Sequence, residues 1–166
     1  MAGREYPEAP IVGVGAVILD GNRVLLVRRG QEPMKGEWSI PGGALELGET
    51  LEAAVRREAV EETGLAVEPR AMVEVLDKIV VEDGRVRYHY VLIDFLCHVV
   101  DGGLKPGSDA EEARWVEHEE LNSHGIYRLP PATVAVIEKA FGMARATAGG
   151  RSVMNSPGVF LRTKQT

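Results

Sequence analysis

The chain has 166 residues, of which 45% are hydrophobic and 27% are charged, and it contains 19 glycines and 9 prolines. These proportions are those of an ordinary globular protein and exclude a fibrous or disordered chain, while the length fits one domain of roughly 150 residues. The 25 acidic and 19 basic side chains give a net charge of −6, so the molecule as a whole repels polyanions and we expect no nucleic-acid partner.

The cysteine content and the first residues bear on the cellular compartment. Cys97 is the sole cysteine, so no disulfide can form within the chain. The start of the chain lacks the basic residues and the apolar segment of a signal peptide, and no apolar run approaches the ~20 residues needed to cross a bilayer. We therefore expect a cytoplasmic protein without a membrane partner.

The first elements predicted along the chain are a leader and a β-hairpin. Residues 1–10 are polar with two prolines, which predicts a flexible leader. Residues 11–29 contain two apolar runs around Asp20-Gly21-Asn22, a turn sequence typical of a hairpin. Residues 30–48 are rich in glycine and proline, and we expect a loop there with at most one short strand, at 38–40.

A helix and a second hairpin follow. Thr50 or Glu49 can start the helix and Gly64 can end it, so we expect helical residues over 51–63. Two runs rich in β-branched and aromatic residues flank the turn at 82–85, which predicts a longer hairpin.

The last elements are a strand, a helix and a tail. A short strand is expected at 113–117, and Pro130-Pro131 predicts a helix that starts there and ends at about residue 146. Residues 147–166 show no clear period, which predicts a mobile C-terminal tail. Taken in order, the elements predict one α/β domain over 11–146, in which helices cover both faces of a mixed sheet.

The predicted helix carries acids on the side that should be apolar. At ~100° per residue, one apolar stripe binds the helix to the sheet, and Glu58 and Glu62 fall about 20° to either side of Leu51 within it, while Glu61 lies on its flank. The stripe consists of Leu51, Ala54, Val55 and Ala59. Like charges four residues apart repel, and more so when partly desolvated. A divalent cation would turn this repulsion into ligation, and an all-oxygen site suits Mg²⁺ or Mn²⁺.

Neighbouring residues can support such a site. Arg57 precedes Glu61 by four residues and can also reach back to Glu49; spacing alone leaves open whether it orients the acids or forms a simple surface ion pair. Gly42 and Gly43 let the backbone come close to a metal or a phosphate. The tripeptide Pro-Gly-Gly by itself usually marks only a turn, but here it stands at a fixed distance from the acids.

The spacing of these residues forms a known pattern. Gly43 is followed by five residues and Glu49, then by seven residues and the run Arg57-Glu58-Ala59-Val60-Glu61-Glu62-Thr63-Gly64-Leu65. Residues 43–65 thus resemble the Nudix box, with every specified non-apolar position filled at the right spacing. Ala59 is the one soft match, since it is smaller than the branched apolar residue usual there. From 11 to 146 the order of predicted strands and helices also resembles that family.

The resemblance implies a Nudix fold, which is an α/β/α sandwich with a mixed sheet, and Mg²⁺-dependent hydrolysis of a nucleoside diphosphate linked to another moiety, X. Mn²⁺ is expected to substitute for Mg²⁺. Carried over position by position, Glu58 and Glu62 correspond to the principal metal ligands and Glu61 to a further ligand or supporting acid, with the carbonyl of Gly42 completing the metal shell.

Other box positions correspond to supporting residues. The resemblance implies that Glu49 and Arg57 hold the loop and the helix in register, with Arg57 orienting the catalytic acids. Gly64 has a structural role as the residue that ends the helix. Gly43 is expected to contact the substrate, because it leaves room for the backbone to approach a phosphate.

The expected chemistry is attack of a metal-activated water on a diphosphate phosphorus, which requires a carboxylate to take the proton. That carboxylate can come from the box or from the acidic loop at 108–112, where we favour Glu112 over Glu111; a solvated acidic turn is the alternative. The candidate phosphate-binding cations are Arg28 and Arg29 at the end of a strand and Lys35 in the following loop.

Segments outside the box bear on the substrate. The runs GVGAVIL, WSIPGG and SDAEEARWV most resemble the ADP-ribose pyrophosphatase group, which implies cleavage of ADP-ribose to AMP and ribose 5-phosphate and favours a homodimer. The alternative enzyme is a nucleoside triphosphate pyrophosphatase that clears oxidised nucleotides. A non-catalytic nucleotide-binding sensor is the alternative of another class, but it would not need both Glu58 and Glu62.

Overall fold

The computed structural model describes residues 4–31, 34–107, 109–121 and 125–149. Seven strands and two α-helices lie in these residues, with a short 3-10 helix, His118–Leu121, before the last helix. In chain order they are β1 Ile11–Asp20, β2 Arg23–Arg29, β3 Trp38–Ser39, β4 Gly42–Ala44, α1 Leu51–Thr63, β5 Leu65–Glu82, β6 Arg85–Gly102, β7 Ala110–Glu117 and α2 Pro131–Ala148. No helix in these ranges is long and apolar enough to span a membrane.

Strand β1 joins the two halves of a mixed sheet. It runs parallel to β6 from Ile11 to Ile18, and β6 pairs antiparallel with β5. Its hairpin partner β2 is bonded to it only at Leu19 and Asp20 and then diverges to pair with β7 and β3. The short strand β4 pairs antiparallel with β1 at the diverging end. The short strand β4 therefore takes the place beside β1 that β2 leaves.

The two helices pack on opposite faces of this sheet. Because side chains alternate along a strand, Ala16 and Ile18 of β1 join the core under α1, whereas Val17 joins the core under α2. The second helix contributes Ile137 and Phe141 to its core. The expected α/β/α sandwich is confirmed, and its α1 layer is the one that carries the acidic residues.

Most predicted elements are confirmed. The helix covers 51–63 as expected, and the longer hairpin turns at Asp83 and Gly84, whose φ angles of 50° and 75° are those of a two-residue type I′ turn. The strand expected at 113–117 begins earlier, at Ala110. The final helix extends to Ala148, while residues 150–166 of the expected tail lie outside the described residues, so the tail's mobility stays a prediction.

The expectation of at most one short strand in 30–48 is wrong, because Gly42–Ala44 forms a second one. Glycine and alanine have low strand propensity, so the local sequence gives no signal for it. A Cβ on Gly42 would lie 2.2 Å from the Val14 carbonyl oxygen, which means that glycine allows this strand to approach β1. Long-range pairing therefore overrides local preference here.

Part of the predicted leader contacts the body of the domain. The backbone amide of Tyr6 donates to the Arg87 carbonyl at 2.8 Å, and Glu5 pairs with the Arg87 guanidinium at 2.9 Å. Residues 1–3 lie outside the described residues. The flexibility of the leader stays a prediction.

Candidate active site

Helix α1 places two glutamates against the sheet because its ends and its apolar stripe fix its position. The Thr50 hydroxyl accepts a hydrogen bond from the Ala53 amide, and Gly64 ends the helix in the left-handed region with φ of 73°. Ala54, Val55 and Ala59 are fully buried, so the residues between them on the same side are drawn inward. The carboxylate-bearing side chain of Glu58 is only 13% exposed.

Strand β4 lies directly beside these acids. The Gly42 amide donates to Glu62 Oε2 at 2.9 Å. The Pro41 carbonyl accepts from the Ala16 amide of β1, and the Leu45 amide donates to the Val12 carbonyl of β1. Because alternate residues of a strand bond to the same neighbouring strand, the Gly42 amide points away from β1. Since the amide and the carbonyl of one residue in an extended strand leave the same edge, the Gly42 carbonyl also lies on the edge facing α1.

Gly43 is required by the packing of Glu58. A Cβ at position 43 would lie 2.2 Å from Glu58 Oε1 and 2.6 Å from Oε2, closer than real contacts allow. We expect Gly43→Ala to displace the Glu58 carboxylate and to lower kcat for nucleotide hydrolysis by at least about 10-fold with only a small change in Tm, because chemistry tolerates little misplacement. Gly103→Ala is the matched control, since a Cβ there meets no atom within 4 Å. Equal kcat values for the two variants would contradict this role for Gly43.

Arg57 connects the loop to the helix. Its guanidinium donates to both carboxylate oxygens of Glu49 at 2.9 Å, to Glu58 at 2.7 Å and to the Ala44 carbonyl at 3.1 Å. It also reaches Glu61 at 3.3 Å, but that side chain is 57% exposed. With several acceptors from separate segments and only 24% of its side chain exposed, Arg57 is more than a surface ion pair.

Burial is the main influence on the pKa values of Glu58 and Glu62. The pKa of Glu62 is raised from its ordinary 4.5 to about 7, chiefly by burial and also by the negative charges of Glu58 and Asp109, while the Gly42 amide and Arg29 oppose the rise. Burial also raises the pKa of Glu58, which Arg57 opposes. In the absence of a cation, the two carboxylates therefore resist full ionisation together.

The oxygen donors of Glu58, Glu62 and Gly42 suit a hard cation, although the side chains do not converge on one point. Over the residues with described positions, no three His, Cys, Asp or Glu side chains form a group that could hold a metal ion, and Glu58 and Glu61 are instead paired with Arg57. The groups on this edge are the carboxylates of Glu58 and Glu62 and the Gly42 carbonyl. All are oxygen donors, as Mg²⁺ and Mn²⁺ prefer.

The acids of the loop at 108–112 fall into two groups according to the residues that they contact. Glu112 contacts Arg28 at 3.4 Å and also pairs with Arg114, and Glu111 lies 3.5 Å from Arg28. Asp109 is the loop acid whose charge acts on Glu62. Its carboxylate accepts from Gln31 at 2.8 Å and its backbone carbonyl accepts from the Gly30 amide at 2.9 Å. Ser108 of the predicted loop lies outside the described residues.

The segment before Asp109 is attached to the end of α1. The Lys105 amide donates to the Thr63 carbonyl at 2.8 Å, and the Gly107 amide donates to the Glu62 carbonyl at 3.0 Å. A Cβ on Gly107 would lie 1.6 Å from the Glu61 carbonyl oxygen. Only glycine therefore permits this close approach, and the last carbonyls of the helix are satisfied by the loop.

The candidate phosphate-binding cations point in different directions. The charge of Arg29 lowers the pKa of Glu62, and its Nε is buried without a hydrogen-bond partner among the described residues. Arg28 and Lys35 instead line a cavity of about 800 Å³, together with Trp38, Ile126, Tyr127 and Arg128. The rings of Trp38 and Tyr127 meet edge to face, with centroids 5.2 Å apart.

The sequence indicated Arg28 and Lys35 but not the aromatic residues of this cavity, which we call the Trp38 cavity, and it did not single out Asp109 within the acidic loop. Asp109 belongs to the acidic run that was singled out, but an acidic run gives no indication of which side chain turns toward the helix. The glycine at 107 was the available signal of a close approach. Tyr127 is brought to Trp38 from a distant part of the chain, which no local pattern predicts.

An α/β/α sandwich with paired glutamates beside a glycine strand defines a class of phosphate-processing domain, and comparison with known proteins gives its family. The family model of the NUDIX domain matches residues 9–137, more than three quarters of the chain. This chain therefore belongs to the NUDIX family, as the box indicated. Hydrolases of this family act on small nucleotide substrates and generally use a divalent metal.

Individual relatives differ in what they act on. The chain is 39% identical over 112 residues to an ADP-ribose pyrophosphatase of Methanocaldococcus jannaschii, which covers 68% of this chain and 64% of that protein. It is 28% identical over 139 residues to an 8-oxo-dGDP phosphatase of Homo sapiens, covering 74% of this chain and 41% of that protein. It thus spans less than two thirds of either relative.

A solved structure agrees with the fold over most of the domain. The crystal structure of a MutT NUDIX hydrolase from Burkholderia pseudomallei superposes with a TM-score of 0.68 at 33% identity. The match covers 80% of this chain and 98% of that one. The described architecture is therefore that of a complete solved NUDIX domain.

Proposed function

We propose that this chain hydrolyses the diphosphate bond of a nucleoside diphosphate linked to another moiety, with Mg²⁺ as cofactor and Mn²⁺ able to substitute. ADP-ribose, cleaved to AMP and ribose 5-phosphate, is the proposed substrate. The observation that carries the proposal is Glu62, a buried carboxylate with a pKa of about 7 that is held by the Gly42 amide beside a second buried carboxylate. An inward acid pair is unfavourable unless a cation binds there.

The residues that would hold the cation are Glu58 and Glu62, with the Gly42 carbonyl on the same edge and Glu61 as a further acid. When bound, a divalent cation lowers the pKa of a water molecule and offsets charge on the phosphoryl oxygens. Arg57 keeps the helix and the loop at the distance this arrangement needs, through its bonds to Glu49 and to the Ala44 carbonyl. Gly64 fixes where the helix ends.

Proton transfer requires a carboxylate near the attacked phosphorus. The water oxygen forms a bond to phosphorus, the bridging P–O bond breaks toward the leaving phosphate, and the water proton passes to the carboxylate. Glu58, Glu61 and Glu62 of the box are candidates for this role beside the loop acids. Among the loop acids we propose Glu112, and the electrostatic contact of Asp109 with Glu62 supports Asp109 as its competitor.

Cations on both sides of β2 support substrate binding. Arg29 lies on the side of the acids, where its charge acts on Glu62 and would also attract a bound diphosphate. Arg28 and Lys35 line the Trp38 cavity, where the half-buried Trp38 ring, backed by the buried Tyr127, would be the aromatic group nearest a base. The diphosphate and the nucleoside of one substrate would thus be bound by adjacent groups.

A nucleotide panel tests this function. Purified protein is incubated with ADP-ribose, 8-oxo-dGDP, 8-oxo-dGTP or ATP in the presence of Mg²⁺, Mn²⁺ or EDTA, and products are separated by anion-exchange chromatography. We expect AMP and ribose 5-phosphate from ADP-ribose, and no product in EDTA. Intact ADP-ribose with pyrophosphate released from a triphosphate would favour the second candidate, the enzyme that clears oxidised nucleotides, which the human relative supports.

Two further outcomes complete the test. No turnover together with a rise in Tm on nucleotide addition would favour the non-catalytic sensor. A homodimer is also proposed, and light scattering should then give twice the 18.0 kDa of one chain. A cytoplasmic location remains part of the proposal and is checked by cell fractionation.

A further inference from the structure

Asp94 of β6 is a buried carboxylate that the proposed chemistry does not use. The buried polar side chains among the described residues are Thr63 and Asp94, and Asp94 is 6% exposed. The Thr63 hydroxyl donates to the Ala59 carbonyl at 2.6 Å, whereas the Asp94 carboxylate has no hydrogen-bond or ion-pair partner in the part of the chain that the structure describes. Burying a carboxylate without a partner is costly, so its presence at this position calls for an explanation.

The Asp94 carboxylate lies over Gly15 of β1, a position that has no side chain. A Cβ on Gly15 would come within 2.1 Å of Asp94 Oδ1 and 2.8 Å of the Ile40 Cδ1 atom. Glycine at position 15 therefore leaves the space that Asp94 and Ile40 occupy. Any larger residue there would displace the carboxylate.

Asp94 is in register with the candidate metal edge. Gly15 pairs with Asp94 on one side and with Gly42 on the other, and Gly42 donates to Glu62. Two strand spacings, about 10 Å, therefore separate Asp94 from Gly42 along the sheet, and the carboxylate leans back over Gly15.

Asp94 also shares a face of the sheet with the Trp38 cavity. Leu96, two residues further along β6, belongs to the core on the α2 side, and Trp38 and Ile40 are partly buried against that same core. Trp38 lines the cavity and Ile40 contacts the Gly15 position beside Asp94. Asp94 is not one of the residues that line the cavity; it is joined to that wall through Ile40, which follows Trp38 by two residues and lies beside the Gly15 position on the same face.

The charged groups around Asp94 do not neutralise it. Burial, and after it the charge of Glu74, its partner in register on β5, raise the pKa of Asp94 to about 6. Glu74 is itself held by Lys139 of α2 at 2.8 Å and by the Val75 amide. Lys139 is therefore occupied by Glu74, and none of these neighbouring groups donates a hydrogen bond to Asp94, which leaves its oxygens available to a ligand.

We propose that Asp94 is a specificity-determining residue that accepts a hydrogen bond from the nucleoside part of the substrate. The donor is an N–H of the base or a hydroxyl of the sugar. The inference rests on the proposed nucleotide hydrolysis and adds to it the group that distinguishes one nucleoside from another. A site that pairs a buried acceptor with a substrate donor discriminates strongly against an analogue that lacks the donor.

The test combines enzyme and substrate changes. Wild type, Asp94→Leu and the matched control Glu74→Gln are assayed with ADP-ribose, its purine analogue without the adenine amino group, and its 2′-deoxy and 3′-deoxy adenosine-side analogues. GTP, ITP and dGTP form the corresponding set for triphosphate hydrolysis. We expect one donor deletion to lower the kcat/KM of wild type and of Glu74→Gln by at least about 10-fold.

The decisive comparison is the behaviour of Asp94→Leu. This variant should lose a similar factor on the parent nucleotide and show no further loss on the analogue without the donor, and the analogue affected identifies the base or the sugar as the source. An equal loss on every nucleotide, or a change in Tm alone, would overturn the inference. Asp94→Asn, which keeps one acceptor oxygen, should retain part of the discrimination.

The inference and the proposed function fail in different ways. If wild type cleaves a nucleotide but Asp94→Leu discriminates among the analogues as wild type does, only the role of Asp94 is refuted. If wild type cleaves none of the probes and none raises its Tm, the proposed function and the role of Asp94 fall together.

Discussion

Replacing Glu62 with glutamine is expected to lower kcat by at least about 100-fold while leaving the fold intact. Glutamine has the same shape, and its carbonyl oxygen can still accept the hydrogen bond that the Gly42 amide now gives to Glu62. What it loses is the negative charge, which both cation binding and proton transfer require. Steady-state kinetics in Mg²⁺ and a thermal melt of the same sample measure the two effects.

The same variant tests the charge state of Glu62 in the absence of metal. Its pKa is about 7 in the folded protein, above the ordinary 4.5, so between these values the native state binds more protons than the unfolded state. Stability therefore falls as the pH rises from about 4.5 to about 7, and is constant with respect to this group above that. In EDTA, the Tm of wild type should fall by at least about 3 °C more than that of Glu62→Gln between about pH 5 and pH 8.

Two comparisons test whether the pH dependence of Tm belongs to Glu62. Asp94 has a raised pKa as well, but it is present in both proteins and cancels in the difference. Glu61→Gln alters an exposed acid on the same helix and should keep the full pH dependence of wild type. Parallel Tm curves for wild type and Glu62→Gln would show that Glu62 is not an unfavourably buried acid.

The second large effect is expected from Arg57→Met. Methionine preserves most of the length of the side chain but removes the bonds to Glu49, Glu58 and the Ala44 carbonyl. The acids that remain are then partly buried without a counter-charge, which is strongly destabilising. We expect Tm to fall by at least about 5 °C and kcat to fall by at least about 10-fold.

Arg56→Met is the matched control for this prediction. Arg56 is the preceding residue on the same helix, is 41% exposed, and pairs with Glu68 at 2.9 Å. Exposed ion pairs contribute little to stability, so its loss should change Tm by less than about 3 °C and leave kcat unchanged. Similar losses in the two variants would mean that Arg57 acts only as one more surface charge.

Much of the fold follows from the sequence because it rests on local signals. The periodicity of α1, its cap at Thr50 and its end at Gly64 fix that helix, and Asp83-Gly84 fixes the turn of the long hairpin. The box spacing then identifies the family, and the family supplies the sandwich. These elements could be predicted because each depends on residues close together in the chain.

The remainder depends on contacts between distant segments. Strand β4 exists because β1 offers it backbone partners, despite its weak strand propensity. The orientation of Asp109 and Glu112 depends on how β7 meets β2, and an acidic run contains no information on that. In the sequence, Asp94 is one polar residue within an apolar strand. That its carboxylate lacks a partner becomes evident only when Gly15 and Glu74 are placed beside it.

The attachment of Gly107 to the last turn of α1 links two parts of the site that are far apart in the chain. Because the loop amides bond to the carbonyls of Glu62 and Thr63, residues 105–107 and the glutamate helix form one mechanical unit that leads into Asp109. An insertion or deletion in this loop would be transmitted to the glutamates, so natural variation in its length should be rare among active homologues. Divergence in substrate choice is expected instead in the cavity-lining residues 125–128.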